Sequence, residues 1–489
     1  TPVSITFPSK PIMQWLKLRL MHCAASAMHN SPMSTVTPDD AQIRPVSPHS
    51  DVVHVYSAGL VIPITAPSVL DGAIAVINGR IEHVGSRDWV IHALEQSGRT
   101  FVEHHVDGVL MPGLVNAHTH LQYTGMAQVG AKRYTGFPSW AQAFDAVYDH
   151  TEFDWKAEAT RGARLSIRYG TTSAADVVTD PEAAGALHDL GLHGVAYWEV
   201  MGWSNADWAA HGPASVNASL DAMPTPPQIG ISPHAPYSLD AEPLLDLPDL
   251  ARRRNLRLHI HLGESHSEAE WKEGRTAQLD DLWRSGASTS FTEMRSLGGG
   301  FSATQFVDQL GVLGPDCHVA HGVYMTADDR RRLRSRNTAV ALCPRSNRVI
   351  GLDAPPVAAY LNEGNLLAVG TDSLSSSPSL DVMEDVALLY KIARAQGYGE
   401  GDLARRLLHT ATLGGAVALG LSTGPQRVGQ LQSGAVADMV FFDVSVTTIV
   451  DTIEELVQTG ASRQIATIID GNLRWVDPRF TDIFEGDVQ

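Results

Sequence analysis

The sequence predicts an α/β protein, a (β/α)8 TIM-type barrel carrying a small composite β-sandwich formed by both termini. Three observations carry that expectation. Short apolar, strand-like runs alternate with helical stretches through the middle of the chain, eight times, over roughly 260 residues, the usual span of a closed barrel. Runs with β periodicity and no intervening helices sit at the two ends. Polar residues gather where the central strands stop, and barrels keep their chemistry there.

Taken in order, residues 1–50 are expected to be a disordered N-terminal extension. Met13 to Ala27 loosely has the make-up of a signal peptide, but Lys17 and Arg19 interrupt the apolar run that such a signal needs. The chain begins at Thr1, and an internal methionine such as Met33 is a candidate natural start. Residues 52–56 and 73–77 read as strands, and Asn78-Gly79 supplies the positive-φ pair of a tight hairpin before a strand over 80–84. The far end answers with strands over 438–442 and 465–469, the latter turning at Asp470-Gly471 into 473–476. The composite sandwich is therefore assigned to residues 51–111 plus 421–478, the barrel to 112–420, and a tail to 479–489. The barrel strands are expected to end at or near His120, Val178, Val200, Pro236, Glu264, Gly322, Asn347 and Ser373.

Composition narrows the function. With 54 acidic against 36 basic residues the net charge is -18, which argues against nucleic acid or an anionic membrane surface as partner. Hydrophobic residues make up 44% and charged residues 18%, the balance of an ordinary globular protein. No apolar run reaches the roughly 18 residues of a membrane-spanning helix. Cys23, Cys317 and Cys343 show no paired spacing, so neither a disulfide framework nor a cysteine metal knot is expected, and a cytoplasmic setting is the default.

The chemistry-bearing residues lie at strand ends. In Leu114-Val115-Asn116-Ala117-His118-Thr119-His120 the two histidines alternate onto one face of a strand. A second strand ends in His259-Ile260-His261, with Glu264 three residues on, and His259 is read as a buried histidine one layer deeper. His321 closes a third strand, and His318, three residues earlier, falls on the opposite face and reads as structural. Asp372 ends the apolar run 366–371. Three histidines and an aspartate make a nitrogen/oxygen shell suited to one divalent ion, zinc or else ferrous iron, with room for water. Glu264 is then the natural proton shuttle, and His321 the group that orients the attacking oxygen or polarises the substrate.

Together with Ser232-Pro233-His234-Ala235-Pro236-Tyr237, Gly370-Thr371-Asp372-Ser373 and the late Thr412-Leu413-Gly414-Gly415-Ala416 and Gly434-Ala435-Val436-Ala437-Asp438, these motifs resemble the amidohydrolase superfamily, in its branch of nucleoside, nucleobase and triazine hydrolases and deaminases. The resemblance implies that His118, His120, His261 and Asp372 are metal ligands, that Glu264 and His321 with Asp372 do the catalysis, and that His234 and His321 contact substrate. Many members hold two metals bridged by a modified lysine at the end of the fourth strand. Lys10, Lys17, Lys132, Lys156, Lys272 and Lys391 all lie elsewhere, which favours a single metal. Glu199, after strand three, is placed in the pocket wall, with an extra ligand role as the alternative. Cys343-Pro344-Arg345-Ser346-Asn347 looks closest to aminodeoxyfutalosine deaminases; Arg345 is assigned to an anionic substrate group, and Tyr134, Phe137 and Trp140 to stacking on a flat ring. The expected activity is hydrolytic deamination of an aminated purine-type nucleoside or heterocycle. A chlorohydrolase or cyclic amidase of the same superfamily, and a catalytically silent scaffold, are the alternatives. The expected partner is a small molecule, with a homodimer as one possible assembly.

Overall fold

The computed structural model of the chain describes residues 43–46, 52–270 and 300–485. Its strands, in chain order, begin with β1 (Val53–Val61), β2 (Val69–Ile77), β3 (Arg80–Ser86) and β4 (Phe101–Pro112). Eight barrel strands follow: β5 (Leu114–Thr119), β6 (Thr171–Val178), β7 (His193–Val200), β8 (Gln228–Pro233), β9 (Arg257–Leu262), β10 (Cys317–His321), β11 (Ala339–Leu342) and β12 (Leu367–Val369). The last three are β13 (Met439–Phe442), β14 (Gln464–Ile469) and β15 (Asn472–Val476).

Both ends of the chain build one mixed sheet in the order β15-β14-β13-β4-β1-β2-β3. β4 is its centre, parallel to β1 and antiparallel to β13. The sheet folds over a core that includes Tyr56, Ile74, Leu110, Phe441 and Ile468. Its two hairpin turns meet above that core: the Ala437 N–H donates to Gly79 O at 2.9 Å, and the Gly471 N–H donates to Ala437 O at 3.0 Å. Both edges are thereby drawn together, which leaves less open strand for unwanted pairing.

Two boundary assignments change. Phe484 is buried in the same core and a ring nitrogen of His104 donates to Ile483 O at 3.0 Å, so residues just past 479 belong to this module and not to a free tail. At the other end, residues 43–46 run beside β15, where Arg44 and Arg474 exchange two hydrogen bonds of 2.8 Å. The rest of the expected extension, with Cys23, lies outside the described residues.

β4 passes into β5 through Gly113 alone. A Cβ there would stand 2.2 Å from Thr172 Cγ2, so only glycine lets the terminal sheet abut the barrel floor. β5 to β12 then form a closed parallel barrel, sealed by Val369 of β12 against Asn116 of β5. The fourth barrel strand stops at Pro233 and the seventh at Leu342, several residues before the expected Pro236 and Asn347. The reason at the seventh is Pro344, which sits in the first turn of a helix, Pro344–Ile350, and makes Asn347 helical. No helix among the described residues is long and apolar enough to cross a membrane.

Because β4 depends on β13 as its second neighbour, deleting everything after Gly434 is expected to leave insoluble protein. Soluble yield and thermal melting of the truncated chain check this; a folded, active truncation would contradict it.

Candidate active site

The side chains of His118, His120, His261 and Asp372 meet at the barrel mouth. His118 is fully buried, and its Nε2 lies 3.5 Å from Asp372 Oδ1. His120 Nε2 lies 3.8 Å from the same oxygen and 3.4 Å from His261 Nε2. His261 Nδ1 donates to His234 O at 3.0 Å, which fixes the tautomer and leaves the Nε2 lone pair bare. Burial keeps these imidazoles neutral, pushing His120 down to about 3 and lowering His118 and His261 as well.

Neutral nitrogen lone pairs facing a carboxylate repel unless a cation stands between them. His118 Nε2 has no hydrogen-bond partner, although it is buried. Two ligands each about 2.1 Å from a tetrahedral zinc sit about 3.4 Å apart, close to the separations here. The donor set therefore fits one divalent cation.

Supporting groups set each donor. His118 Nδ1 lies 3.0 Å from His259 Nε2, and His259 Nδ1 lies 3.3 Å from Ser232 Oγ, so His259 is the deeper barrel histidine that the pattern suggested. Asp372 Oδ2 accepts from Ser346 Oγ and Ser376 Oγ, each at 2.7 Å. Asp176, at the end of β6, accepts from the Leu121 N–H at 2.8 Å and anchors the chain just past His120. Hydrogen bonds of this kind, made from behind, hold each side chain in one orientation.

Glu264 is buried across the pocket, its Oε1 3.6 Å from His321 Nε2 and its Oε2 accepting from Tyr237 Oη at 3.4 Å. Burial raises its carboxyl above the ordinary value. His321 Nδ1 donates to Asn347 Oδ1 at 3.1 Å. His321 and Asp372 both take left-handed backbone, with φ of 72° and 58°. Such geometry costs a non-glycine residue about 1 kcal/mol or more and concentrates at working sites. It also corrects the reading of β10. The twist at His321 breaks strand alternation, so His318 is not on an outer face. It lies inside the barrel, donating to Ala117 O at 2.9 Å with its ring 4.6 Å from that of His259.

The pocket above these groups is lined by Phe137, Trp140, Phe144, Asp145, Glu199, Met201 and His234, with His120, His261, Glu264, His321 and Asp372 at its base. Trp140 Nε1 donates to Ser375 O at 2.9 Å, and His234 Nδ1 lies 2.8 Å from Ser238 Oγ. Glu199 faces His261 with its Oε1 4.0 Å from Nδ1, and burial pushes its carboxyl up to about 8. Tyr134 does not line the pocket; its hydroxyl donates to Val129 O.

Arg345 is a second correction. It does not reach the pocket. Nε donates to Asp385 Oδ2 at 2.9 Å, Nη1 to Ser379 Oγ and Glu384, and Nη2 to the carbonyls of Ser379 and Asp381. All five N–H groups are spent inside the protein, leaving none for a substrate anion.

Sequence reasoning passed over Glu268, whose carboxylate accepts from the backbone N–H of Gly263 and Glu264, both at 2.8 Å, and so fixes the loop that carries Glu264. The signal was present as Ser265-x-x-Glu268, a capping box. It also passed over the roles of Ser346 and Asn347, whose partners come from distant strands.

A closed parallel barrel with imidazoles and a carboxylate converging at its mouth defines the class of metal-dependent barrel hydrolases. A family model, "Amidohydrolase family", matches residues 109–474, and the chain belongs to that family. It is accordingly a hydrolase of carbon–nitrogen bonds. It is 25% identical over 87% of its length to a 5'-deoxyadenosine deaminase from Methanosphaera stadtmanae, covering 94% of that protein. Against a 5-methylthioadenosine/S-adenosylhomocysteine deaminase from Nitratidesulfovibrio vulgaris the identity is 29%, over 84% of this chain and 89% of the relative. A solved adenosine deaminase from Xanthomonas campestris with bound zinc superposes with a TM-score of 0.70 at 22% identity, covering 89% of this chain and 97% of that one. The Helicobacter pylori aminofutalosine deaminase in complex with methylthio-coformycin gives 0.71 at 20%, covering 86% and 99%. These two superpositions share the fold.

Because Arg345 is bonded wholly within the protein, Arg345→Met strands the buried Asp385 carboxylate and is expected to lower stability by about 3–5 kcal/mol. Denaturant melts measure the loss, and KM for the folded variant should stay near the parent value. A selective rise in KM at unchanged stability would restore it as a substrate contact.

Proposed function

We propose that the chain is a divalent-metal-dependent deaminase of adenosine-type nucleosides, with His118, His120, His261 and Asp372 holding one ion, zinc by preference. The observation that carries this reading is Glu264, buried 3.6 Å from His321 beside the four converging donors and under an aromatic wall. The kinship with full-length adenine-nucleoside deaminases supports the choice of substrate class.

When bound, a divalent ion supplies Lewis acidity, making water acidic enough to deliver hydroxide near neutral pH. Glu264 takes the proton released as water adds to the ring carbon, and returns it to the amino group that leaves as ammonia. Its raised pKa suits a carboxyl that must hold that proton between the two steps. His321, with Nδ1 committed to Asn347, offers Nε2 to the substrate beside Glu264. His234 is tethered through Nδ1 to Ser238, which leaves its other nitrogen for a ring heteroatom. Phe137, Trp140 and Phe144 cover the heterocycle and exclude bulk water. Glu199 closes the pocket wall behind His261.

Glu264→Gln is expected to keep the fold and the metal but to lose turnover by about a hundredfold or more, because an amide cannot shuttle the proton. Ammonia release from adenosine-type nucleosides, read beside metal analysis, checks this. Loss of the metal in this variant would make Glu264 a ligand, and full activity would refute the mechanism. The same analysis should find one ion per chain in the parent, and a reduced content after His118→Ala, His120→Ala, His261→Ala or Asp372→Ala; two ions would bring Glu199 forward as a ligand.

A further inference from the structure

Glu264 moves the proton in the reading above, and contacts on three sides hold it. Glu268 fixes its backbone by accepting from the N–H groups of Gly263 and Glu264. Its Oε1 lies 3.6 Å from His321 Nε2, and both side chains line the pocket. Its Oε2 accepts from Tyr237 Oη at 3.4 Å. Tyr237 is fully buried and does not line the pocket, so its hydroxyl approaches Glu264 from the protein side.

The segment that carries Tyr237 is held for local reasons. The Ser238 N–H donates to Ala235 O at 3.1 Å, closing a β-turn with Pro236 at its second position, where proline's fixed φ is preferred. Ser238 Oγ donates to the same carbonyl at 3.0 Å, and the Gly202 N–H ties Ser238 O to the end of β7 at 2.8 Å. The phenol ring meets Phe137 of the wall helix and His234 edge-on, with ring centres 6.0 and 5.8 Å away. Burial, and then the charges of Glu264, Glu268 and Glu199, push the phenol well above its ordinary range, so it stays a donor at every working pH. With Oε2 already receiving a proton from Tyr237, an added proton is favoured on Oε1.

We propose that Tyr237 is a positioning residue for Glu264: its hydroxyl holds Oε2 as a fixed acceptor, so that the shuttled proton rides on Oε1, beside His321. The inference rests on the deaminase reading above and goes beyond it by choosing between the two oxygens. As the water oxygen bonds to the ring carbon, its proton passes to Oε1. The same proton then moves to the amino group, the carbon–nitrogen bond breaks and ammonia leaves. Tyr237 gains and loses nothing in either step; it keeps the carboxyl from rotating between them.

The test is Tyr237→Phe on the metal-loaded full chain, with adenosine and 5'-deoxyadenosine as probes. The ring and its packing stay, so metal content and melting temperature should match the parent. Turnover, kcat, should fall by about tenfold while KM stays within about twofold, the loss of one hydrogen bond to a charged group. That bond favours the ionised carboxylate, so losing it raises the Glu264 pKa. The acid limb of kcat/KM should therefore move to higher pH by about half a unit to one unit, with His321, Asp372 and Glu268 still facing the group. Tyr237→Met, which keeps apolar bulk without the ring, should displace the limb in the same direction. In a Glu264→Gln background, adding Tyr237→Phe should cost no more than about twofold, because the partner no longer carries a proton. An acid limb left in place by both replacements would overturn the proposal, whatever happens to kcat, as would a full tenfold loss in the Glu264→Gln background. If neither nucleoside releases ammonia from the metal-loaded parent, the deaminase reading itself fails, and the positioning role with it.

Discussion

Lone pairs from buried imidazoles and a carboxylate oxygen point at one small volume, and the barrel is built so that none can turn aside. His261 is pinned by the His234 carbonyl, His118 is backed by His259, and Asp372 is clamped by two serines. Each restraint closes an escape route that would relieve the repulsion without a cation. Close packing adds another. A Cβ at Gly370 would fall 2.7 Å from His118 Cβ and 2.9 Å from Cys343 Sγ, so the strand bearing Asp372 approaches β5 only because that position is bare. Preorganisation of this kind spends folding energy to hold a site ready.

Much of this was legible because barrels and metals both leave periodic marks. An apolar run ending in alternating histidines specifies a strand, a face and an end; the runs before His261 and Asp372 specify two more. Pairing partners of β1 to β4 could be sought at the other end of the chain because both ends carry β patterns without helices. Legibility failed where a local rule met a distant partner. Arg345 looked available because Asp385 and Glu384 are some forty residues away in the chain. His318 was set on the wrong face because alternation assumes extended backbone up to the strand's last residue, and His321 departs from it with φ of 72°. Asn347 was counted as a strand end because the helix-starting role of Pro344 was missed.

The wall of the pocket differs from its base in how it is made. Base residues come from the ends of β5, β9, β10 and β12, and their positions follow from the closed barrel. The aromatic side of the wall comes from one helix between β5 and β6, Phe137–Tyr148, while Glu199, Met201 and His234 come from the ends of β7 and β8. Barrel enzymes vary substrate in such connecting segments while the strand ends keep the reaction.

The terminal sheet bears on how the chain is made. Pro112, at the end of β4, pairs with Met439 of β13, which a ribosome reaches only after the whole barrel. At roughly 5–20 residues per second that interval lasts tens of seconds. Throughout it, β4 is joined to the barrel's first strand through Gly113 and presents one open edge to the cell. Nascent chains of neighbouring ribosomes carry the same edge, so the period before release is when this protein is most exposed to mispairing and most in need of a chaperone.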